Sequence, residues 1–305
     1  MLRLLVLTAS TLLLTAANIH GSSRRSERVL PIGASFDWDS RNPHLVHLRA
    51  GKLHVSVFSR LRDGVTVPMV RVTGGSRSIL FRGYDRYGYY PGVRVSVGRW
   101  DRQGHPFIML EQDTGGTHCC LRLQVLVADR GRLAVTDLGE WDGTTPMKAP
   151  KDLDGDGRPD LVLKDERRFL EEFGSHSESW SPPLILNIVK GRAVDVSARR
   201  AFAALFLRDM KEARRWCFQD PLEGDLSFNG GACAGYAASA ARAGHFGAAW
   251  KDIVRLYGRD SLFSLSVCKG KWDSLKGCSA YKIGFYRSFP DGVRAYLKML
   301  GYIRR

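Results

Sequence analysis

Residues 152–160 read Asp152-Leu153-Asp154-Gly155-Asp156-Gly157-Arg158-Pro159-Asp160. Carboxylates stand at the first, third, fifth and ninth positions of this stretch. Such spacing suits a hard divalent cation. Ca²⁺ takes about six to eight oxygen ligands at about 2.3–2.6 Å, so a short loop must aim alternate residues at one point. Asp152, Asp154 and Asp156 can do this with their side chains, Arg158 with its backbone carbonyl, and Asp160 with the closing carboxylate. Gly155 and Gly157 permit the tight curl, because glycine tolerates positive φ. Four carboxylates this close repel one another unless a cation sits among them. The expected cofactor is therefore Ca²⁺, held by Asp152, Asp154, Asp156, Arg158 and Asp160.

An EF-hand requires a bidentate Glu at the twelfth position. Leu163 stands there instead, and Pro159 with Leu161-Val162-Leu163 predicts a strand after the loop rather than a helix. With that strand in place, Asp152 to Leu163 resembles the calcium loop of FG-GAP/VCBS repeats, as found in integrin-α-type β-propellers. The resemblance implies a loop that joins two strands of one blade, with an ion that stiffens the turn and does no catalysis. It covers about a dozen residues strongly and the surrounding unit loosely. A second, degenerate copy is visible. Residues 101–110 align with 154–163 at Asp, Gly, Pro and the apolar positions that follow, and 121–137 resembles 184–196. The first copy lacks most of the acidic residues and is not expected to bind metal. At about 45 residues per unit the β segment holds three or four units, and propellers usually need about 4–8. A partial propeller-like or a two-sheet arrangement is expected.

Other candidate chemistry weighs less. Gly115-Gly116-Thr117-His118-Cys119-Cys120 places a thiol beside an imidazole, but neighbours on a strand point to opposite faces. An oxidised structural role is expected there. Together with the Asp-rich loop and Trp180-Ser181-Pro182-Pro183, this stretch resembles a family of bacterial exported proteins, a resemblance that carries no activity. Two Ser-x-x-Lys matches, at Ser266 and Ser279, lack the companion motifs of penicillin-binding enzymes. No nucleophile elbow, Walker loop, dinucleotide fingerprint or His-Glu-x-x-His occurs. His44 and His47 face opposite ways on a predicted strand, and Glu171 with Glu172 reads as a solvated pair. No catalytic residue is assigned. The favoured role is an interaction or scaffold module in the cell envelope. The alternative is an envelope hydrolase with its site between two domains.

The compartment follows from the N-terminus. Arg3 precedes an apolar run from Leu4 to Leu14, and Thr15-Ala16-Ala17 follows it, which marks residues 1–22 as a signal peptide. The run is shorter than the about 20 residues a membrane helix needs, and no later stretch is long enough. A periplasmic or secreted chain without a transmembrane segment is expected. In such a compartment Cys119, Cys120, Cys217, Cys233, Cys268 and Cys278 read as disulfides. Cys217–Cys233 and Cys268–Cys278 each close a short loop and are the expected local pairs. Cys119 and Cys120 are left to each other or to another partner. The formal charge is +15, which suits an envelope protein or an anionic polymer as partner. The cations are spread along the chain, which favours a soluble basic surface over a dedicated anionic partner, and no specific nucleic-acid site is expected.

The elements fall into an α+β order. From residue 31 to 196 the apolar residues alternate with period two, as in Leu53 to Phe58 and Val93 to Val97. Val65 to Val72 contains Pro68 and predicts an edge strand. From residue 197 to 305 the period is 3.6. One face carries Phe202, Leu205, Phe206, Met210, Ala213 and Cys217, with Ser197 as expected N-cap. Further helices are expected from Asn229, over Phe246 to Tyr257, and from Pro290. Residues 259–285 read as loop. An antiparallel β domain with one Ca²⁺ loop is thus followed by a small disulfide-bearing helical domain.

Overall fold

The computed structural model describes residues 27–83, 92–114, 121–129, 132–142, 150–219, 229–257, 265–268, 283–286 and 288–304. The expected signal peptide, the Gly115–Cys120 motif and the Cys268–Cys278 pairing lie outside these residues in whole or in part.

The β region builds three sheets. The strands run β1 (Arg28–Val29), β2 (Ser35–Asp39), β3 (Val46–Ala50), β4 (Leu53–Arg62), β5 (Val65–Gly74), β6 (Arg77–Arg82), β7 (Gly92–Arg99), β8 (Pro106–Asp113), β9 (Leu121–Asp129), β10 (Arg132–Trp141), β11 (Leu161–Lys164), β12 (Pro183–Val189) and β13 (Arg192–Asp195). The first sheet has the order β1-β3-β4-β5-β6, the second β10-β9-β8-β7-β2, and the third β11-β12-β13. All pairings in them are antiparallel except the two-residue β1–β3 contact.

The sheets stack face on face. Leu48, Val55, Val57, Val70 and Val72 of the first sheet share a core with Val93, Val95, Val97, Ile108, Leu110 and Leu126 of the second. The opposite face of the second sheet, through Phe107, Met109, Leu123 and Val125, packs on Leu161, Leu163, Leu184, Leu186 and Ile188 of the third. This is why β8 is apolar on consecutive positions: both of its faces are covered. No barrel or propeller closes among the described residues, and the β region is the antiparallel layered arrangement that the α+β reading implies.

Helices cover the far face of the third sheet. The α-helices are α1 (Glu166–Phe169), α2 (Ala203–Cys217), α3 (Gly230–Ala243), α4 (Phe246–Tyr257) and α5 (Phe289–Met299). Ile185 of β12 meets Phe206 of α2 and the preceding Phe202. Cys217 and Cys233 form the expected disulfide, tying the end of α2 to the first turn of α3. Gly235 of α3 rides against Trp180, where a β-carbon would lie 2.4 Å from the Trp180 carbonyl oxygen. α5 begins as its sequence predicts, with Ser288 capping the Asp291 N–H and proline in the first turn.

Three expectations fail for identifiable reasons. β5 is an interior strand, not an edge. Pro68 is tolerated because it lies just past the last β5–β6 ladder pair, Met69–Arg82, where its carbonyl accepts from Gly83 N–H. Ser197 does not cap α2. Its hydroxyl accepts the Ile185 N–H instead, and a 3₁₀ turn over Arg200–Phe202 leads into the helix. The stretch read as loop contains two short strands that pair antiparallel, β14 (Leu265–Cys268) with β15 (Ile283–Tyr286).

The chain between β11 and β12 crosses into the helical core. Phe169 and Phe173 are buried there among α3 and α5. Glu172, between them in sequence, is pushed up to about 7 by burial. Its ordinary value is 4.5. The folded chain therefore holds a proton that the unfolded chain releases between these values. That contribution to stability is complete below pH 4.5 and is lost as pH rises through about 7. Glu172→Gln is expected to melt above the wild type at pH 8, with the gap closing toward pH 4.5. A gap independent of pH in paired melting curves would rule this out.

Candidate metal centre

The Asp-rich loop is a hairpin tip. Lys151 and Asp160 form an antiparallel bridge at its base, and Asp160 leads into β11. Within it, Asp152 accepts the Gly155 N–H at 2.8 Å on Oδ1 and the Gly157 N–H at 3.0 Å on Oδ2. Asp154 Oδ1 accepts from Asp156 N at 3.1 Å, and Asp156 Oδ1 from Arg158 N at 2.9 Å. These side-chain-to-backbone bonds hold the curl, while Gly155 and Gly157 take φ of +77° and +88°. The carboxylates of Asp152, Asp154 and Asp156 thereby converge, with one oxygen of each within 4.8 Å of the others.

Asp160 does not join that cluster. It is 1% exposed, and it accepts from Leu153 N at 2.7 Å and from Asn187 Nδ2 at 2.7 Å. It closes the base of the turn and ties the loop to β12. Burial raises its carboxyl above the ordinary range, with the Leu153 and Asn187 bonds opposing. Arg158 contributes its N–H to Asp156 and keeps an exposed side chain.

Two arginines brace the loop from outside. Arg102, in the turn between β7 and β8, donates to the Gly155 carbonyl at 2.7 Å and lies against Gly157, where a β-carbon would meet its Nε at 2.7 Å. Arg199, just after β13, places Nη1 2.6 Å from Asp154 Oδ2 and 2.8 Å from Asp156 Oδ2. Burial works against the charge on Asp156, but the bonds from Arg199 and Arg158 outweigh it and hold the carboxyl low. Arg199 is raised in turn, chiefly by its bonds to Asp154 and Asp156. Arg102, Asn187 and Arg199 went unnoticed in the sequence. Each is about 30 to 50 residues from its partner, and no local spacing marks it.

The turn that carries Arg102 is the degenerate copy. Gly104, with φ of +84°, occupies the place of Gly157. Asp101 is spent on His105, accepting its N–H at 3.1 Å and pairing with Nδ1 at 2.7 Å. β8-β9-β10 in the second sheet and β11-β12-β13 in the third follow their respective turns in the same order. The two aligned stretches thus occupy corresponding places in adjacent sheets.

The donor set fits Ca²⁺ chemically. It is all oxygen, anionic and preorganised by the backbone, whereas softer metals favour His or Cys ligands. A cavity of about 390 Å³, lined by Trp100, Arg102, Asp156, Arg158 and Ile188 among others, adjoins the loop. Asp152 and Asp156 are exposed, so a cation reaches them without unfolding.

The sll0997 C-terminal domain family model matches residues 206–301. A curated relative is the probable thylakoid lumen protein sll0997 of Synechocystis sp. (strain ATCC 27184 / PCC 6803 / Kazusa). It is 31% identical over 217 residues, which is 70% of this chain and 61% of the relative. The chain thus spans less than two thirds of that protein's length. The aligned length exceeds the matched C-terminal stretch, so the similarity extends into the sheets. No solved structure matches the chain.

Proposed function

We propose that the protein is an exported calcium-binding interaction module, with the ion clamping the hairpin tip that enters the third sheet. The convergence of Asp152, Asp154 and Asp156 carries this reading. These three residues would hold the ion, with the Arg158 carbonyl beside them, while Asp160 fixes the base of the loop through Leu153 and Asn187. The ion would supply charge neutralisation and rigidity. The thylakoid-lumen name of the relative supports export to a lumenal or periplasm-like compartment, and no described helix is long and apolar enough to cross a membrane. The resemblance of the loop to FG-GAP/VCBS calcium loops supports the same reading, and β11 follows the loop.

At the junction between third sheet and helices, Lys164 and Ser239 bond to Asp209, and Tyr302 and Arg168 to Asp165. A binding role is supported by the surface beside it. The exposed side of α2 carries Arg208, Lys211 and Arg215 beside Trp216, which is 51% exposed. That surface suits the envelope protein or anionic polymer proposed as partner.

Calorimetry with Ca²⁺ and with chelator tests the reading. At a free concentration one hundred times Kd, Ca²⁺ is expected to stabilise the fold by about 2.7 kcal/mol. The double variant Asp154→Ala, Asp156→Ala should keep its circular dichroism and lose the response. A melting curve that ignores both Ca²⁺ and chelator removes the calcium reading.

A further inference from the structure

We infer that Arg199 is the resident counter-cation of the Asp-rich loop and competes with the divalent ion for it. This inference rests on the calcium reading above.

The oxygen accounting leads there. The Oδ1 atoms of Asp154 and Asp156 are committed to backbone N–H groups of the loop. Their Oδ2 atoms are the free ones, and both converge on a single nitrogen, Nη1 of Arg199. A cation bound by these two side chains through their uncommitted oxygens would need the volume that Nη1 fills. One guanidinium charge also faces two carboxylates, with Asp152 close by. A divalent ion balances that charge more fully and accepts more oxygens.

Arg199 is built to leave. Its side chain is 39% exposed, and Asp154 and Asp156 are its ion-pair partners. Its backbone is pinned separately: its N–H donates to Val196 O, and its carbonyl accepts from Phe202 N–H. The side chain can therefore swing into solvent while the 3₁₀ turn at the root of α2 stays in place. The loop then has two closed states, one neutralised from within and one by the metal. The internal cation keeps the curl intact when the metal is scarce and weakens metal binding by the free energy of its own bonds.

Isothermal titration of Ca²⁺ into the wild type and Arg199→Gln separates the possibilities. Arg199→Gln is expected to bind about tenfold more tightly, the equivalent of one charge-assisted bond no longer broken on metal entry. Arg199→Lys, which keeps a cation, should fall between the two. Melting curves should cross: with chelator Arg199→Gln melts below the wild type, and with saturating Ca²⁺ the gap narrows or reverses. Weaker binding by Arg199→Gln would overturn the inference, because Arg199 would then be orienting the carboxylates from outside the metal shell. Equal affinities in both chains would also overturn it while leaving the calcium reading in place. Binding by neither chain overturns both, and binding by Arg199→Gln alone supports the competition in its strongest form.

Discussion

Truncating Phe169 to alanine is expected to lower the stability of the fold by about 3–5 kcal/mol. Phe169 is fully buried. Its ring meets Tyr296 at 5.9 Å and Tyr302 at 5.6 Å, both edge-on, and Phe173 at 6.5 Å. Edge-to-face pairs of this kind add to plain area burial. The cavity left behind has little freedom to collapse, because its walls are tethered. The Tyr302 hydroxyl donates to Asp165 at 2.8 Å, and the Tyr296 hydroxyl donates to the Arg168 carbonyl. Phe169 also comes from α1, on the sheet side of the chain, while most of its neighbours belong to the helices. The loss should therefore loosen the helices from the third sheet. Urea unfolding followed by near-ultraviolet dichroism measures it. Phe169→Leu should cost less, and a loss under about 1 kcal/mol for alanine would show that the site relaxes freely.

Asp209→Ala is expected to cost roughly 3 kcal/mol, from stranding two donors at about 1–3 kcal/mol each. Asp209 lies on the buried side of α2. It accepts the Ser239 hydroxyl at 2.6 Å, the Trp180 Nε1–H at 3.1 Å and the Lys164 ammonium at 2.9 Å. One carboxylate thus joins α2, α3, β11 and the segment leading into β12. Lys164 is half exposed and can return to water, so its loss counts for little. Ser239 is fully buried and has no such recourse. Asp209→Asn keeps acceptor capacity for Ser239 or Trp180 and should cost less than alanine. Chemical denaturation of the two variants reads the order directly. An asparagine as damaging as alanine would mean that the charge itself, and not the stranded donors, sets the cost.

Local periodicity made much of the scaffold readable. Leu53, Val55 and Val57 alternate with His54 because β4 buries one face and exposes the other. Phe206, Ala213 and Cys217 face inward along α2 as their spacing predicts, and the Cys217–Cys233 pairing follows from the short loop it closes. What stayed hidden is non-local. Nothing in β8 says which sheet covers each of its two apolar faces. Pro68 reads as an edge residue until the shortness of β6 is known. Ser197 has the right chemistry for a cap and spends it on β12. β14 and β15 are four residues each, too short for alternation to stand out. At the loop, the acidic triad was legible because its carboxylates are neighbours in sequence. Arg199 was not, because a cation can approach a carboxylate from anywhere in the fold.

The crossing of residues 165–180 into the helical core also sets where the chain can be divided. A fragment beginning at residue 206, the start of the family match, would open inside the first turn of α2 and leave Phe169, Phe173 and Trp180 behind. Asp209 would lose Lys164, and Tyr302 would lose Asp165. The helices therefore depend on the third sheet, which in turn shares a core with the second. A cut anywhere between residues 165 and 206 separates side chains that the fold holds together.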